Sequence, residues 1–158
     1  MGHGRHRRHR PQHPGGLAPQ GLPRQRDGAL RLERGLTPVG ELARFPHRSM
    51  TVVRAGRVEV GIVRWDGDQL YALRNVCPHA GGPVCRGRLG PRIVASAADP
   101  LALDVDDACP TVTCAWHGWE FDARDGRALA PGSRLRVRTY PVRVEDGTVL
   151  VDFGRATA

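Results

Sequence analysis

The sequence predicts an all-β domain, a small sandwich or barrel, over residues 36–158. Three observations lead there. From Leu36 onward, apolar and β-branched residues recur in short alternating runs, the period of a half-buried strand. Turn signals separate the runs, at Asp66-Gly67-Asp68, Arg124-Asp125-Gly126 and Asp146-Gly147. A chain of 158 residues supports about one core and not two.

Taken in order, Val39 to Phe45 opens the domain as a short strand or turn. Thr51 to Arg54, Val58 to Trp65 and Gln69 to Leu73 read as strands, the last two a hairpin that delivers the chain to Asn75. Leu135 to Val144 and Thr148 to Phe153 flank the last turn, and Trp65, Tyr71 and Phe121 are expected in the core. The stretch Gly87 to Ala108 is different. It holds Pro91, Pro100 and an acidic run, Asp104, Asp106 and Asp107, with little periodicity. It is expected as an insertion around 87–108, a surface loop that either carries partner specificity or is neutral.

Residues 1–35 form an Arg/His/Pro-rich tail without hydrophobic period, and their composition predicts disorder. Capture of metal by its histidines or contact of its arginines with nucleic acid is one reading, and a simply solvated tail is the other. The net charge of +8 divides unevenly: the tail holds eight arginines and two acids, the remainder sixteen and fourteen. The domain is only mildly basic, so charge does not mark it as a nucleic-acid binder. No apolar run approaches the roughly 18 residues that cross a bilayer, and Arg7-Arg8 leads into no apolar stretch, so no membrane partner and a cytoplasmic chain are expected.

The chemistry sits in two short segments. Cys77-Pro78-His79 is followed by Gly81-Gly82, and Cys114-Ala115-Trp116-His117 by Gly118. Two thiols and two imidazoles are a metal-binding donor set. A tetrahedral Cys2His2 zinc module is one reading, although such modules pair cysteine with cysteine and histidine with histidine, whereas both segments here are mixed. Glycines suit a loop that must bring its backbone close to an inorganic group, sometimes with positive φ.

The segments from Cys77 to Pro83 and from Cys114 to Asp122 resemble the Rieske [2Fe-2S] signature. That resemblance implies a cluster-binding subdomain formed by two loops on a small β sandwich, holding one [2Fe-2S] cluster. Cys77 and Cys114 would ligate the inner iron, and His79 and His117 the outer one, neutral imidazoles raising the potential above that of all-cysteine ferredoxins. Trp116 and Trp119 would shield the second loop, and Pro131-Gly132 would belong to a further covering loop. The implied function is one-electron transfer, as a ferredoxin between a flavin-containing reductase and a terminal oxygenase or comparable oxidoreductase. A small subunit of a larger complex, similar to that of nitrite reductase, is the alternative. High-potential members carry a serine where this chain has Trp119 and a disulfide beside the ligands that it lacks, which implies a potential at the low end.

No catalytic residues are expected. Once His79 and His117 are used, the domain retains only His47, too few imidazoles for a 2-His-1-carboxylate iron site. Cys85 and Cys109 are left over, and a pair of free thiols or one bridge are both open.

Overall fold

The computed structural model describes Met1, residues 35–99 and residues 101–154, and the domain is the unit Arg31–Ala158. The expected disordered tail, apart from Met1 and Gly35, lies outside the described residues. Among the described residues the strands are β1 (Leu36–Glu41), β2 (Ser49–Ala55), β3 (Val58–Arg64), β4 (Leu70–Arg74), β5 (Arg88–Ala95), β6 (Leu103–Thr113), β7 (Glu120–Asp122), β8 (Thr139–Tyr140), β9 (Val142–Glu145) and β10 (Thr148–Asp152). They pair antiparallel in three sheets, β1-β10-β9, β2-β3-β4-β8 and β5-β6-β7. The fold is all-β, as the sequence predicts.

The second sheet is the spine, because both of its faces are covered. Side chains alternate across a strand. Val60 and Ile62 of β3 and Ala72 of β4 enter one buried cluster with Phe45, Val149 and Val151. Val63 and Leu73 enter another with Val84, Val112, Phe121 and Val137. A strand buried on both sides reads as a continuous apolar run, which is how Val60-Gly61-Ile62-Val63 stands in the sequence. The second cluster also contains Cys77 and Cys114, so the two mixed cysteine and histidine segments grow out of this core.

Turn chemistry agrees with local backbone. Asp146 and Gly147 both have positive φ, 46° and 76°, the pattern of a type I′ hairpin between β9 and β10. Gly126 has φ 79°, and a Cβ there would stand 2.0 Å from the Val137 carbonyl oxygen, which leaves no room for a side chain. Of the expected core aromatics, Trp65 and Phe121 are buried and Tyr71 packs against the second cluster half-buried.

Two expectations need correcting. Leu135 to Val144 is not one strand: only Thr139–Tyr140 and Val142–Glu145 are extended in ladders, with Pro141 between them. Proline lacks the N–H that an uninterrupted ladder requires. The stretch around 87–108 is not a loop but most of the β5–β6 hairpin, where Pro91 faces Pro110 and the register then shifts so that Arg92 faces Asp106. Its base is braced. Arg48 bonds both Asp66 and Asp107 and lies 4.5 Å over the Trp65 ring, and the Trp65 indole N–H donates to the Asp107 carbonyl at 2.8 Å. Beyond the shift, Ile93, Leu103 and Val105 are exposed. With solvent at both faces, an apolar/polar alternation has no reason to develop.

Gly61 illustrates how tightly the spine meets the second core. A Cβ on it would stand 2.5 Å from Cys85 Sγ, and both residues are buried. Gly61→Ala is therefore expected to destabilise the holoprotein by about 1–3 kcal/mol through overpacking. Adding Cys85→Ala should return most of that loss, read as recovery of the denaturation midpoint; two effects that merely add would refute the contact.

Candidate metal centre

The two loops that carry Cys77 and His79, and Cys114 and His117, have one backbone design. The first follows β4, and the second joins β6 to β7. In the first, the Cys77 N–H donates to the Gly82 carbonyl at 2.7 Å and the Gly81 N–H to the Cys77 carbonyl at 2.8 Å. In the second, the Cys114 N–H donates to the Trp119 carbonyl at 2.8 Å and the Gly118 N–H to the Cys114 carbonyl at 3.0 Å. The fifth residue of each loop is a glycine in the left-handed region, Gly81 at φ 75° and Gly118 at φ 69°. The motifs C-x-H and C-x-x-H look different because histidine enters at the third position of one loop and the fourth of the other.

This design sorts the donors by depth. Cys77 and Cys114 are each 2% exposed, while His79 and His117 are exposed, their rings 5.0 Å apart at 84°. Burial raises the Cys77 thiol above its ordinary pKa, and the adjacent Cys114 thiol adds to that. The backbone N–H groups of His79 and Ala80 act in the opposite direction, aimed at the sulfur as donors that a bound thiolate uses.

Aromatic rings wall the site. Trp119 lies 5.4 Å from His79 and 6.5 Å from Phe121, linking the imidazole to the core. Trp116, 58% exposed, lies 6.2 Å from His117 and covers Gly82, where a Cβ would stand 2.8 Å from the indole Cδ2. On the other side His117, Gly118 and Trp119 face Leu129, Ala130 and Pro131 across a cleft of about 390 Å³, so the Pro131-Gly132 turn does border the second loop.

Cys85 and Cys109 are buried free thiols. Burial pushes Cys85 up to about 12, which keeps it a neutral thiol beside the Leu73 carbonyl. Burial also raises the Cys109 thiol, and the neighbouring Asp122 carboxylate adds to the effect. His47 is exposed.

The donor set fits a two-iron group better than one ion. Among the described residues, no three Cys, His, Asp or Glu side chains close on a single point as a mononuclear cage would require. Instead a sulfur pair lies at the bottom and an imidazole pair at the rim, the separation that a cluster with two cysteines on one iron and two histidines on the other demands.

A β domain presenting such a divided thiol and imidazole set on paired loops is an iron–sulfur module. Residues 35–141 match the model of the Rieske [2Fe-2S] domain, and the chain belongs to that family and carries one Rieske [2Fe-2S] cluster. The ferredoxin subunit of anthranilate 1,2-dioxygenase from Burkholderia cepacia is 27% identical over 117 residues, 74% of this chain and 91% of the relative. The ferredoxin subunit of 3-phenylpropionate/cinnamic acid dioxygenase from Escherichia coli K12 is 30% identical over 90 residues, 57% and 69% of the respective chains. Among solved structures, the ferredoxin of carbazole 1,9a-dioxygenase from Nocardioides aromaticivorans IC177 is similar with TM-score 0.55 and 29% identity, covering 74% of this chain and 96% of the other. The small subunit of a putative NADH-dependent nitrite reductase from Mycobacterium tuberculosis shares the fold, with TM-score 0.58, 22% identity and coverage of 78% and 95%.

Neighbouring glycines in the first loop do different work, and this is testable. Gly81→Ala meets nothing within 4 Å and is expected to cost only the left-handed backbone penalty, about 1–2 kcal/mol. Gly82→Ala must displace the Trp116 indole and should hasten bleaching of the visible absorption in air. Trp116→Ala should then add little to the Gly82→Ala bleaching rate, whereas it should add its full effect to Gly81→Ala; equal additivity in both would refute the packing role.

Proposed function

We propose that this chain is a one-electron carrier, a Rieske ferredoxin, in which Cys77 and Cys114 ligate the inner iron and His79 and His117 the outer iron. One observation carries the assignment: two loops of identical hydrogen-bonding design set two thiols side by side in the core and two imidazoles 5.0 Å apart at the surface. The cluster, when bound, supplies storage of a single electron. The protein's part is to keep water from the sulfurs and to present the imidazole edge. A partner docking over His79 and His117 meets the exposed side of the site, and Trp116 and Trp119 flank that approach.

The partners are a flavin-containing reductase as donor and a terminal oxygenase or comparable oxidoreductase as acceptor. Support comes from relatives whose names are ferredoxin subunits of dioxygenases, one matched over 91% of its length, and from a solved complex described as reduced oxygenase with oxidized ferredoxin, similar at TM-score 0.57 and 21% identity. The second reading, a small subunit of a nitrite-reductase-like complex, rests on likeness of fold alone. Residues 36–158 form the cluster domain and residues 1–35 an appended tail that takes no part in holding the cluster, a division supported by the family match beginning at residue 35. A cytoplasmic location is supported by four free cysteines and by the absence, among the described residues, of any helix long and apolar enough to cross a membrane.

Protein purified anaerobically should contain two irons and two acid-labile sulfides per chain and take up one electron. Trp119, held between His79 and Phe121, offers no hydroxyl to a bridging sulfide, so the reduced state has fewer donors. A redox titration followed by electron paramagnetic resonance should give a midpoint toward the negative end of the roughly −150 to +300 mV Rieske range. Colourless protein with one zinc per chain would refute the electron-carrier reading, and a midpoint near the upper limit would refute the ferredoxin assignment.

A further inference from the structure

The two loops share a design but not a closure. The second loop is the end of a hairpin, and ladder pairs Thr113 with Glu120 and Val112 with Phe121 hold its feet together. The first loop has no such ladder. β4 stops at Arg74, and on the far side the chain enters a short 3-10 turn, Val84–Arg86.

Asn75 occupies the gap. It is 5% exposed, and its own N–H donates to the Glu59 carbonyl on β3 at 2.9 Å. Its side-chain Oδ1 accepts from the Cys85 N–H at 2.8 Å, and its Nδ2 donates to Glu59 Oε2 at 3.0 Å. The foot before the loop is thereby tied to the foot after it, and both to the spine. Glu59 is itself fixed, by Arg54 at 3.1 Å and Arg86 at 3.6 Å.

We propose that Asn75 is a positioning residue for the cluster: its carboxamide substitutes for the missing ladder pair and holds the first ligand loop in register with the second. The role requires an acceptor and a donor on one planar group, the acceptor toward the Cys85 N–H and the donor toward a carboxylate. Asparagine supplies both at the length of this gap. Aspartate keeps the shape and the acceptor but turns the donor into a second carboxylate facing Glu59, leaving one buried group repelled instead of bonded.

The inference rests on Cys77 and His79 being ligands, and its test separates the two ideas. Full-length holoproteins of wild type, Asn75→Asp, Glu59→Gln and the double variant are compared for iron and sulfide per chain, rate of cluster loss to a chelator, and the paramagnetic resonance spectrum of the reduced state. Asn75→Asp should lose its cluster on the order of tenfold faster than wild type, the effect of one buried hydrogen bond turned unfavourable. In the double variant the amide introduced at position 59 donates to the carboxylate introduced at position 75, so the bond re-forms with reversed polarity. Its rate and spectrum should return close to those of Glu59→Gln alone. A general packing role would give no such rescue, and double-variant loss as fast as that of Asn75→Asp would overturn the proposal even if Asn75→Asp folds poorly. Wild-type protein with a cluster and an Asn75→Asp variant that keeps it equally well would overturn the role of Asn75 only; wild-type protein without a cluster would overturn both.

Discussion

Two buried sulfurs have to lie next to each other at the bottom of a site whose rim is open, and the rest of the domain follows from that constraint. Cys77 and Cys114 come from distant parts of the chain, yet both belong to the core that contains Val63, Leu73, Val112 and Phe121. Burial disfavours a bare thiolate at Cys77, whose pKa it raises above the ordinary thiol value. The first loop lowers that barrier with backbone N–H groups already turned toward the Cys77 sulfur. The inner half of the site is thus part of the core, while the imidazole half is in contact with solvent.

The spine sheet makes this placement reproducible. Its inner residues alternate between two cores, so neither neighbouring sheet can slip without uncovering apolar surface on β3 or β4. The loop bearing Cys77 leaves directly from β4, and the hairpin bearing Cys114 packs on the same face through Val112 and Phe121. A brace at Arg48, Trp65 and Asp107 fixes the base of that second unit to the ends of β2 and β3. Each exposed ion pair in that brace is weak by itself. The buried indole and its hydrogen bond to the Asp107 carbonyl give it a defined geometry.

Much of this was legible in the sequence where one residue type has one use. Asp146-Gly147 marked the hairpin, the β-branched run from Val58 to Trp65 marked a strand, and the two mixed motifs marked the segments that the fold brings together as paired loops. The outer part of the β5–β6 hairpin was not legible, because prolines and acids erase alternation where Ile93, Leu103 and Val105 face solvent. Asn75 was visible only as the residue before the loop. Its meaning depends on Glu59 and Cys85, which lie 16 and 10 positions away and are joined to it only by folding. The equivalence of the loops was hidden for a related reason: backbone hydrogen bonds repeat from Cys77 to Gly82 and from Cys114 to Trp119, but the histidines are offset by one residue.

The proposed ligation by an outer pair of imidazoles is tested most directly by pulsed electron paramagnetic resonance of the reduced protein grown with ¹⁵N-histidine. Two histidine nitrogens coupled to the electron spin is the expected result, one of them lost on replacing His79 and the other on replacing His117. A single coupled nitrogen, none, or two that survive either replacement would contradict the ligand set on which the whole assignment of this site rests.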